Sequence, residues 1–574
     1  MSWVPQVSLL RPGKARMNAV TVLARRVLKI HLVLPFAMIL AAGAEAQSNN
    51  TAADQARIRS YIVDGWTTLS RSMSDCKSVA DIKVTSTPVL YLPADLPTPP
   101  AVAAMHDACG VDIRHLPRTI HRIGEVRPDE LPVPGLLYLP NRYVVPGGRF
   151  NEMYGWDSYF ILLGLIHDGK TDLARGMVEN FFFEIEHYGA ILNANRTYYF
   201  TRSQPPFLSS MIREVYEHPA SGSAPDLKWL ASAYSYAQRD YALWTSPEHQ
   251  AGTTGLARYH DLGAGPVPEM ADDSTYYQDV IRWLIAHPGD HPEYLINAPA
   301  NPTPQQAAAL AESSCDMARS SVCLQAVVDG RRLTAAYFRS DRAMRESGFD
   351  TSFRFGPFSG STDNFAPVCL NSLLYKYEQD MAHFATLLGR AKEAVEWTGR
   401  AANRRKAIDK YLWDQSAGLY FDYDFTTGMR STYRFITTFY PLWAGSASPA
   451  QSAAVEAQLN RFEQPGGLTI SDVDSGVQWD APFGWAPTTW LAVAGLDKTG
   501  FHTDAARIAM KFDATVLDNF LHDGTIREKY NVESGSANLK VAAGYKSNVV
   551  GFGWTNAVYL KLQDVIAIAP SPAP

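Results

Sequence analysis

Two stretches of the chain combine aromatic rings with charged and amide side chains. The first covers residues 146–159 and reads PGGRFNEMYGWDSY; the second covers residues 478–490 and reads QWDAPFGWAPTTW. Aromatic faces can cover the C–H surfaces of a sugar ring, while carboxylates and guanidinium groups bind its hydroxyls through charge-assisted hydrogen bonds. The stretches therefore indicate a pocket for a sugar. The alternative is a set of buried aromatic residues with satisfied polar neighbours.

Helical periodicity governs most of the chain from Leu162 onward. Apolar residues recur at intervals of three and four within 229–241 and within 373–388, which predicts two amphipathic helices. Gly389 follows the second run and is suited to end that helix. The Gly- and Pro-rich stretches are therefore expected on loops between helices, where binding sites usually lie.

Further helices are expected over about 48–69 and 393–412, whereas the proline-rich segment 76–100 is expected to be a loop. Helix–turn–helix units that repeat without strand-like alternation between them predict an all-α toroid rather than a doubly wound sheet. No internal linker interrupts this pattern, so we expect a single domain.

The composition is that of an ordinary globular protein, since 46% of the 574 residues are hydrophobic and 19% are charged. A chain of this length can bury a large core. The formal net charge of −6 gives no electrostatic reason to expect nucleic acid or an anionic membrane as a partner. We expect a monomer that binds a small molecule.

The N-terminus resembles a secretory signal peptide. Basic residues lie within 25–29, an apolar run covers 32–42, and small residues precede an expected cleavage after Ala46, with Met17 as a possible true start. The apolar run is shorter than the roughly 20 residues that a membrane span requires. Residues 1–46 are therefore predicted to be removed, and the mature protein to be periplasmic or secreted and free of the membrane.

The five cysteines fit an oxidising compartment. Cys76 and Cys109 bracket the proline-rich segment, and Cys315 and Cys323 lie close together, so both pairs are plausible disulfides. Cys369 would remain as a buried thiol. A metal site is the alternative, but a single His–Cys pair stands at a ligand-like spacing, so we expect neither metal nor cofactor.

From about residue 144 to 560 the chain resembles the trehalase family of glycoside hydrolases, in particular the periplasmic bacterial type. The resemblance rests on both stretches above and on four further blocks in the family's order, which read NANRTYYFTRSQPP (193–206), ESGFD (346–350), EKYNV (528–532) and GFGWTN (551–556). It implies an (α/α)6 barrel with a loop-built active site at one rim. Residues 47–574 would then form a single catalytic domain that includes an N-terminal extension over 47–130.

The resemblance also implies inverting hydrolysis of the disaccharide α,α-trehalose to glucose. An inverting glycosidase needs one carboxylic acid to protonate the leaving oxygen and one carboxylate to activate water. By family position Asp350 is the acid and Glu528 the base. Phe349 beside Asp350 is expected to raise its pKa, whereas Arg527 and Lys529 flank Glu528 and favour its ionised form. The alternative is that Glu528 is one charge in a solvated run.

Further residues are assigned to substrate binding by the same resemblance. Those expected to contact sugar hydroxyls are Arg149, Trp156, Asp157, Asn193, Arg202 and Gln204, and Ser203 and Gly348 are also expected to bind the substrate. Those expected to form walls are Phe150, Tyr154, Trp479 and Trp485. Asp157 and Arg202 offer the most fixed geometry, and a structural ion pair is the alternative for them. Asp480 is equally suited to orient a loop.

The sequence departs from the family pattern in three places, and the first two are expected to lie around the leaving group. The usual Arg-Pro-Glu-Ser segment is absent, and the stretch 340–348 looks like a collapsed version in which either Arg342 or Arg345 replaces the missing guanidinium. The run 544–550 lacks the usual Glu, and Cys369 stands where an Asp is usual. An inverting hydrolase of another α-glucoside is therefore a rival, since losing groups that bind a hydroxyl changes discrimination strongly.

A second rival is a catalytically silent sugar-binding protein on the same barrel. It predicts that Asp350 or Glu528 has been replaced, but both are present. The sequence therefore favours an enzyme.

Overall fold

A computed structural model describes residues 52–80, 87–267, 269, 275–312, 327–541 and 547–568. The chain divides into a unit Met1–Gln55 and a unit Ala56–Pro574, and apart from residues 52–55 the features described below lie in the second. The expected signal segment 1–46 and the expected pair Cys315–Cys323 fall outside the described residues.

Helices dominate the described part of the chain. They are α1 (52–68), α2 (Cys76–Val79), α3 (Pro100–Cys109), α4 (Gly155–His167), α5 (Thr171–His187), α6 (Leu208–Glu217), α7 (Leu227–Trp244), α8 (Tyr276–Ala286), α9 (Pro304–Glu312), α10 (Ala335–Glu346), α11 (Val368–Leu387), α12 (Ala391–Ala407), α13 (Tyr440–Ala444), α14 (Pro449–Glu456), α15 (Ala486–Lys498), α16 (His502–Asp523) and α17 (Gly553–Ile568).

The strands are short and lie between these helices. They are β1 (Ser70–Arg71), β2 (Val89–Leu92), β3 (Asp112–His115), β4 (Leu136–Leu137), β5 (Tyr143–Val144), β6 (Leu295–Asn297), β7 (Arg331–Leu333), β8 (Phe365–Ala366), β9 (Trp413–Asp414), β10 (Leu419–Tyr420), β11 (Tyr423–Asp424), β12 (Met429–Arg430), β13 (Glu463–Gln464), β14 (Gly467–Leu468), β15 (Phe483–Trp485) and β16 (Lys529–Asn531). In the N-terminal region β2 pairs in parallel with both β3 and β4.

Six helices close into a ring. Helix α4 packs against α6, α6 against α11, α11 against α13, α13 against α15, α15 against α17, and α17 packs back against α4. On the outside, α5 packs against α4 and α6, α7 against α6 and α11, α12 against α11, and α16 against α15 and α17. This is the (α/α)6 barrel expected from the sequence, which is thereby confirmed.

The burial of each helix follows its place in the ring. Helix α4 is buried nearly all round, whereas α12 buries only Trp397, Ala401 and Arg404 and exposes its charged face. A helix that is apolar all round belongs inside, and one with a narrow apolar stripe belongs outside.

The predicted helices at 229–241 and 373–388 are confirmed as α7 and α11. Gly389 follows α11 with a φ of 72°, as an end signal requires. The expectation of a loop over 76–100 was wrong in part, because α2 and β2 form there. Neighbouring strands supply the hydrogen bonds of β2, and sequence alone did not show them.

The disulfide Cys76–Cys109 is present and joins α2 to the end of α3, as predicted. Cys369 is a buried free thiol, also as predicted. Within the described residues, none of the helices combines the length and apolar character that crossing a membrane needs.

Candidate active site

One cavity of about 450 Å³ gathers residues from every sequence block named above. Its lining comprises Pro146, Arg149, Phe150, Tyr154, Trp156, Asp157, Asn193, Tyr199, Arg202, Gln204, Glu269, Arg345, Gly348, Asp350, Thr351, Gln478, Trp479, Trp485, Glu528, Ser547, Phe552 and Trp554. Of the residues expected from the sequence, only Ser203 and Arg342 are missing from the lining. The volume lies within the range typical of small-molecule sites.

Stacked indole rings form one wall of the cavity. Trp479 and Trp485 lie face to face, with ring centroids 3.7 Å apart and planes 8° from parallel. Trp156 lies 5.8 Å from Trp479, and Trp554 lies 5.8 Å from Trp156 and 5.9 Å from Trp485. The C–H face of a sugar ring can pack against such a surface.

Phe150, Tyr154 and Arg149 form a second aromatic edge. The Phe150 and Tyr154 rings lie 5.6 Å apart in an edge-to-face arrangement, and the Arg149 guanidinium lies 5.2 Å from the Phe150 ring centroid. Tyr154 forms an isolated β-bridge with Ala194, which joins the first stretch to the block 193–206. Asn193 in that block donates from Nδ2 to the backbone oxygen of Arg345 at 3.5 Å.

Asp350 lies just beyond the end of α10, on a segment held by the second aromatic stretch. Its backbone oxygen accepts a hydrogen bond from Gln478 Nε2, and the oxygen of Thr351 accepts one from the Trp479 backbone nitrogen at 3.0 Å. About 40% of the Asp350 side chain is accessible through the cavity. Burial of the site raises its pKa to about 6, against the opposing charges of Arg345 and Arg202.

Glu528 immediately precedes β16, which pairs with β15 of the second stretch. Its Oε2 accepts a hydrogen bond at 2.8 Å from Lys529 Nζ, which is fully buried and also donates to the backbone oxygen of Ser547 at 2.9 Å. The Trp554 indole donates to the Glu528 backbone oxygen at 3.2 Å. Lys529 therefore places a positive charge directly on this carboxylate.

Asp157 lies in the first turn of α4 and is almost completely buried. Burial raises its pKa well above the usual range, and the negative charges of Glu528 and Asp350 add to the effect. Gln204 fixes the start of the same helix, since its Oε1 accepts the Trp156 backbone N–H at 2.9 Å. The pKa of Asp157, at the start of α4, is therefore raised by both carboxyl groups.

A cluster of paired charges surrounds Asp350. Arg202 donates to Glu269 Oε1, and its Nη1 lies 3.5 Å from Asp261 Oδ2. Arg345 donates to both oxygens of Asp341 at 3.3 Å, and its Nη1 lies 3.8 Å from Asp350 Oδ2.

Arg342, unlike Arg345, does not line the cavity. Its guanidinium donates to the backbone oxygens of Ala264 (2.8 Å), Gly265 (2.8 Å) and Pro266 (3.1 Å) and pairs with Asp261 at 3.1 Å. It therefore ties down the loop 264–266. The two arginines share a helix, and only their distant partners distinguish them.

Ser203 also lies behind the cavity rather than in its wall. It is buried, and its backbone nitrogen donates to Glu346 Oε1 at 3.3 Å. Its neighbours Arg202 and Gln204 both reach the cavity. A residue within a block that resembles the family, such as 193–206, therefore need not line the cavity.

Asp480 orients a loop, the alternative role considered for it. Its carboxylate accepts hydrogen bonds from the hydroxyls of Tyr433 (2.7 Å), Ser471 (3.0 Å) and Ser475 (2.6 Å) and from the Phe353 backbone nitrogen (2.8 Å). Burial raises its pKa to about 6.

Several lining residues were not identified from the sequence, and Glu269 is the most informative. It lies in the run Val267-Pro268-Glu269, which keeps the Pro-Glu of the segment that appeared to be absent. A search that tolerated Val in place of Arg would have found it. The others are Pro146, Tyr199, Thr351, Gln478, Ser547, Phe552 and Trp554.

A ring of six helices around a cavity with stacked indoles and separate carboxyl groups fits an (α/α)6-barrel protein that binds sugars. The Trehalase family model matches residues 125–567. A probable trehalase from Eremothecium gossypii is 38% identical over 448 residues, which cover 73% of this chain and 57% of the relative. The chain belongs to the trehalase family.

Two yeast proteins extend the comparison. A cytosolic neutral trehalase from Saccharomyces cerevisiae is 34% identical over 557 residues, covering 86% of this chain and 69% of the relative. The structure of the neutral trehalase Nth1 from that organism superposes with a TM-score of 0.71 at 31% identity, covering 89% of this chain and 94% of the other. The chain spans 57% and 55% of the lengths of the relatives from Eremothecium gossypii and Kluyveromyces lactis.

The relatives contradict the expectation of a periplasmic or secreted protein of the bacterial type. Those from Kluyveromyces lactis and Saccharomyces cerevisiae are named cytosolic neutral trehalases. The pattern behind that expectation lies at 1–46, outside the described residues. Short basic and apolar runs are weak signals, and here they were misleading.

Proposed function

We propose that this chain hydrolyses α,α-trehalose to two molecules of glucose with inversion, with Asp350 as general acid and Glu528 as general base. One observation carries the proposal: two carboxyl groups 178 positions apart in sequence line one cavity and have different immediate partners. Asp350 has a pKa raised to about 6, and Glu528 is held by the Lys529 ammonium. Family membership supports the same assignment.

The proposed chemistry uses one proton transfer on each side of the sugar. Asp350 gives its proton to the glycosidic oxygen as the bond from that oxygen to the anomeric carbon breaks. Glu528 takes a proton from a water molecule, whose oxygen attacks the anomeric carbon from the opposite face. One glucose then leaves with its original α configuration and the other forms as the β anomer.

The cavity groups divide between the two halves of the substrate in this proposal. Because Asp350 protonates the leaving oxygen, the neighbouring charges of Arg345, Arg202 and Glu269 lie on the leaving-sugar side. Asp157 and the stacked indoles would hold the sugar that is attacked. Bidentate pairing of carboxylates and guanidinium groups with neighbouring hydroxyls gives fixed geometry.

A second candidate is inverting hydrolysis of another α-glucoside. The observation in its favour is that Val267 is buried where the family pattern has Arg, so a leaving-side guanidinium is missing from that position. A changed leaving-side contact alters which second group is accepted.

The test is a substrate panel with product stereochemistry. The purified chain is incubated with trehalose, kojibiose, glucosylglycerol and glucosylglycerate, and fresh products are read by proton NMR. We expect glucose from trehalose, with α and β anomers in equal amounts before mutarotation. Asp350→Asn and Glu528→Gln should each lower kcat by about 10²–10⁴-fold.

Glu378→Gln is the matched control, since Glu378 forms a buried pair with Arg404 at 2.8 Å and does not line the cavity. It should leave trehalose turnover unchanged. Turnover of a different α-glucoside in place of trehalose would favour the second candidate. Unimpaired turnover by Asp350→Asn would show that the acid is misassigned.

A further inference from the structure

Arg345 poses an electrostatic problem for the acid. Its Nη1 lies 3.8 Å from Asp350 Oδ2, and its side chain is only 5% exposed. A buried cation so close to a carboxyl group favours the ionised form and so promotes loss of the proton. A general acid must hold its proton until the leaving oxygen takes it.

Asp341 lies one helical turn before Arg345 and has a fully buried carboxylate. Its two oxygens accept from Arg345 Nε and Nη2, both at 3.3 Å, and Tyr277 donates its hydroxyl to the same carboxylate at 2.7 Å. The Tyr276 ring lies 5.2 Å from the guanidinium carbon. Nε and Nη2 of the guanidinium group are thus held by a negative charge, while Nη1 lies near Asp350.

The remaining charges near Asp350 form a balanced set. Arg202 and Glu269 face it from other segments and pair with each other, and the carboxyl group of Asp157 faces it from α4. Behind them, Asp261 pairs with both Arg202 and Arg342. The cations here are Arg202, Arg342 and Arg345, and the carboxylates that pair with them are Asp261, Glu269 and Asp341.

We propose that Asp341 is a positioning residue that neutralises Arg345, so that Arg345 can reach the leaving sugar without stripping Asp350 of its proton. This inference rests on the proposed function and deepens it. Asp341 does not line the cavity, and in this proposal it acts on Asp350 through Arg345. Arg345 also supplies, from α10, a guanidinium group for the leaving sugar. Val267, which stands where the family pattern has Arg, has no such group.

The experiment measures kcat/KM against pH for the unaltered chain, Asp341→Asn, Arg345→Gln and the double variant. Asp341→Asn should move the alkaline limb to lower pH by about one unit, because an unbalanced cation then faces Asp350. Arg345→Gln should move the limb to higher pH. The double variant has neither charge and should return the limb close to its original position.

Two controls separate charge from packing. Asp341→Glu keeps the charge and should leave the limb in place, and Glu378→Gln breaks a buried pair elsewhere and should do the same. If Asp341→Asn fails to fold, Arg345→Gln must still move the limb upward. A limb that stays fixed in active Asp341→Asn, or in active Arg345→Gln, overturns this inference alone, whereas absence of α-glucoside turnover by the unaltered chain overturns the proposed function as well.

Discussion

Single carboxyl groups in the cavity differ because their immediate neighbours differ. Asp350 follows a turn and lies half-buried beside paired arginines, whereas Glu528 accepts directly from a buried lysine. Asp157 has a pKa raised well above its usual range by burial and by the charges of both Glu528 and Asp350. In the proposed mechanism the raised pKa of Asp350 suits a general acid, and the Lys529 ammonium lies beside the proposed base.

The rate constant kcat/KM on trehalose should fall as pH rises above about 6. The pKa of Asp350 is raised to about 6, so the free enzyme loses its acidic proton in that range. The profile should be measured from pH 4 to 9 at low substrate concentration. A rate that stays constant from pH 6 to 8 would contradict the assignment of Asp350 as the acid.

Short connections between the barrel helices, rather than the helices themselves, position Asp350 and Glu528 in the cavity. Helix α10 ends at Glu346, and Gly348 turns the chain with a φ of 77°. A Cβ at this position would lie 2.9 Å from Trp156 Cε2, too close for packed atoms. The pairing of β15 with β16 similarly joins the indole wall to the Glu528 segment.

Gly348→Ala should lower kcat/KM by at least about tenfold, because the added methyl group displaces Trp156 or Asp350 and small misplacements are costly in catalysis. Gly389→Ala is the matched control, since Gly389 has a similar φ of 72° with no atom within 4 Å of the added carbon. The control should lose about 1 kcal/mol of unfolding free energy and keep its activity. Equal kinetics for the two variants would contradict this account of the turn.

Across the whole molecule, closing the ring buries carboxyl groups that take no part in the cavity. Asp240 on α7 accepts from the Tyr377 hydroxyl of α11 at 3.0 Å, and burial raises its pKa to about 7. Glu184 and Asp513 are also buried, with pKa values raised well above the usual range. The folded state therefore holds protons that the unfolded chain releases.

Asp240→Asn should stabilise the protein at alkaline pH. The pKa of Asp240 is about 4 in the unfolded chain and about 7 in the folded protein. Stability is therefore lost as pH rises from about 4 through about 7, because the unfolded chain ionises this group more readily. Asn cannot ionise, so its stabilising effect relative to Asp should be greater at pH 8 than at pH 5, by about 2–3 kcal/mol. Urea unfolding at both pH values measures it, with exposed Asp64→Asn as control. An equal effect at both pH values would argue against burial of an ionised Asp240.

The sequence by itself determined the helical framework and most of the residues that line the cavity. The 3.6-residue periodicity of segments such as 229–241 fixes which face of a helix is buried, and it predicts α7 and α11. The glycine-rich and aromatic blocks identified most of the cavity lining, and the spacing of Cys76 and Cys109 indicated their disulfide. These signals are local, so they survive without tertiary information.

Only the tertiary structure decided which of several buried charged side chains line the cavity. Arg342 and Arg345 lie three residues apart on α10, yet one binds the loop 264–266 and the other faces Asp350. Glu269 reaches the cavity from a segment that looked unrelated, and Asp480 turns away to hold a loop. The reason is physical: a charged side chain that leaves water goes to the partner that best compensates its charge, and that partner comes from a distant part of the chain.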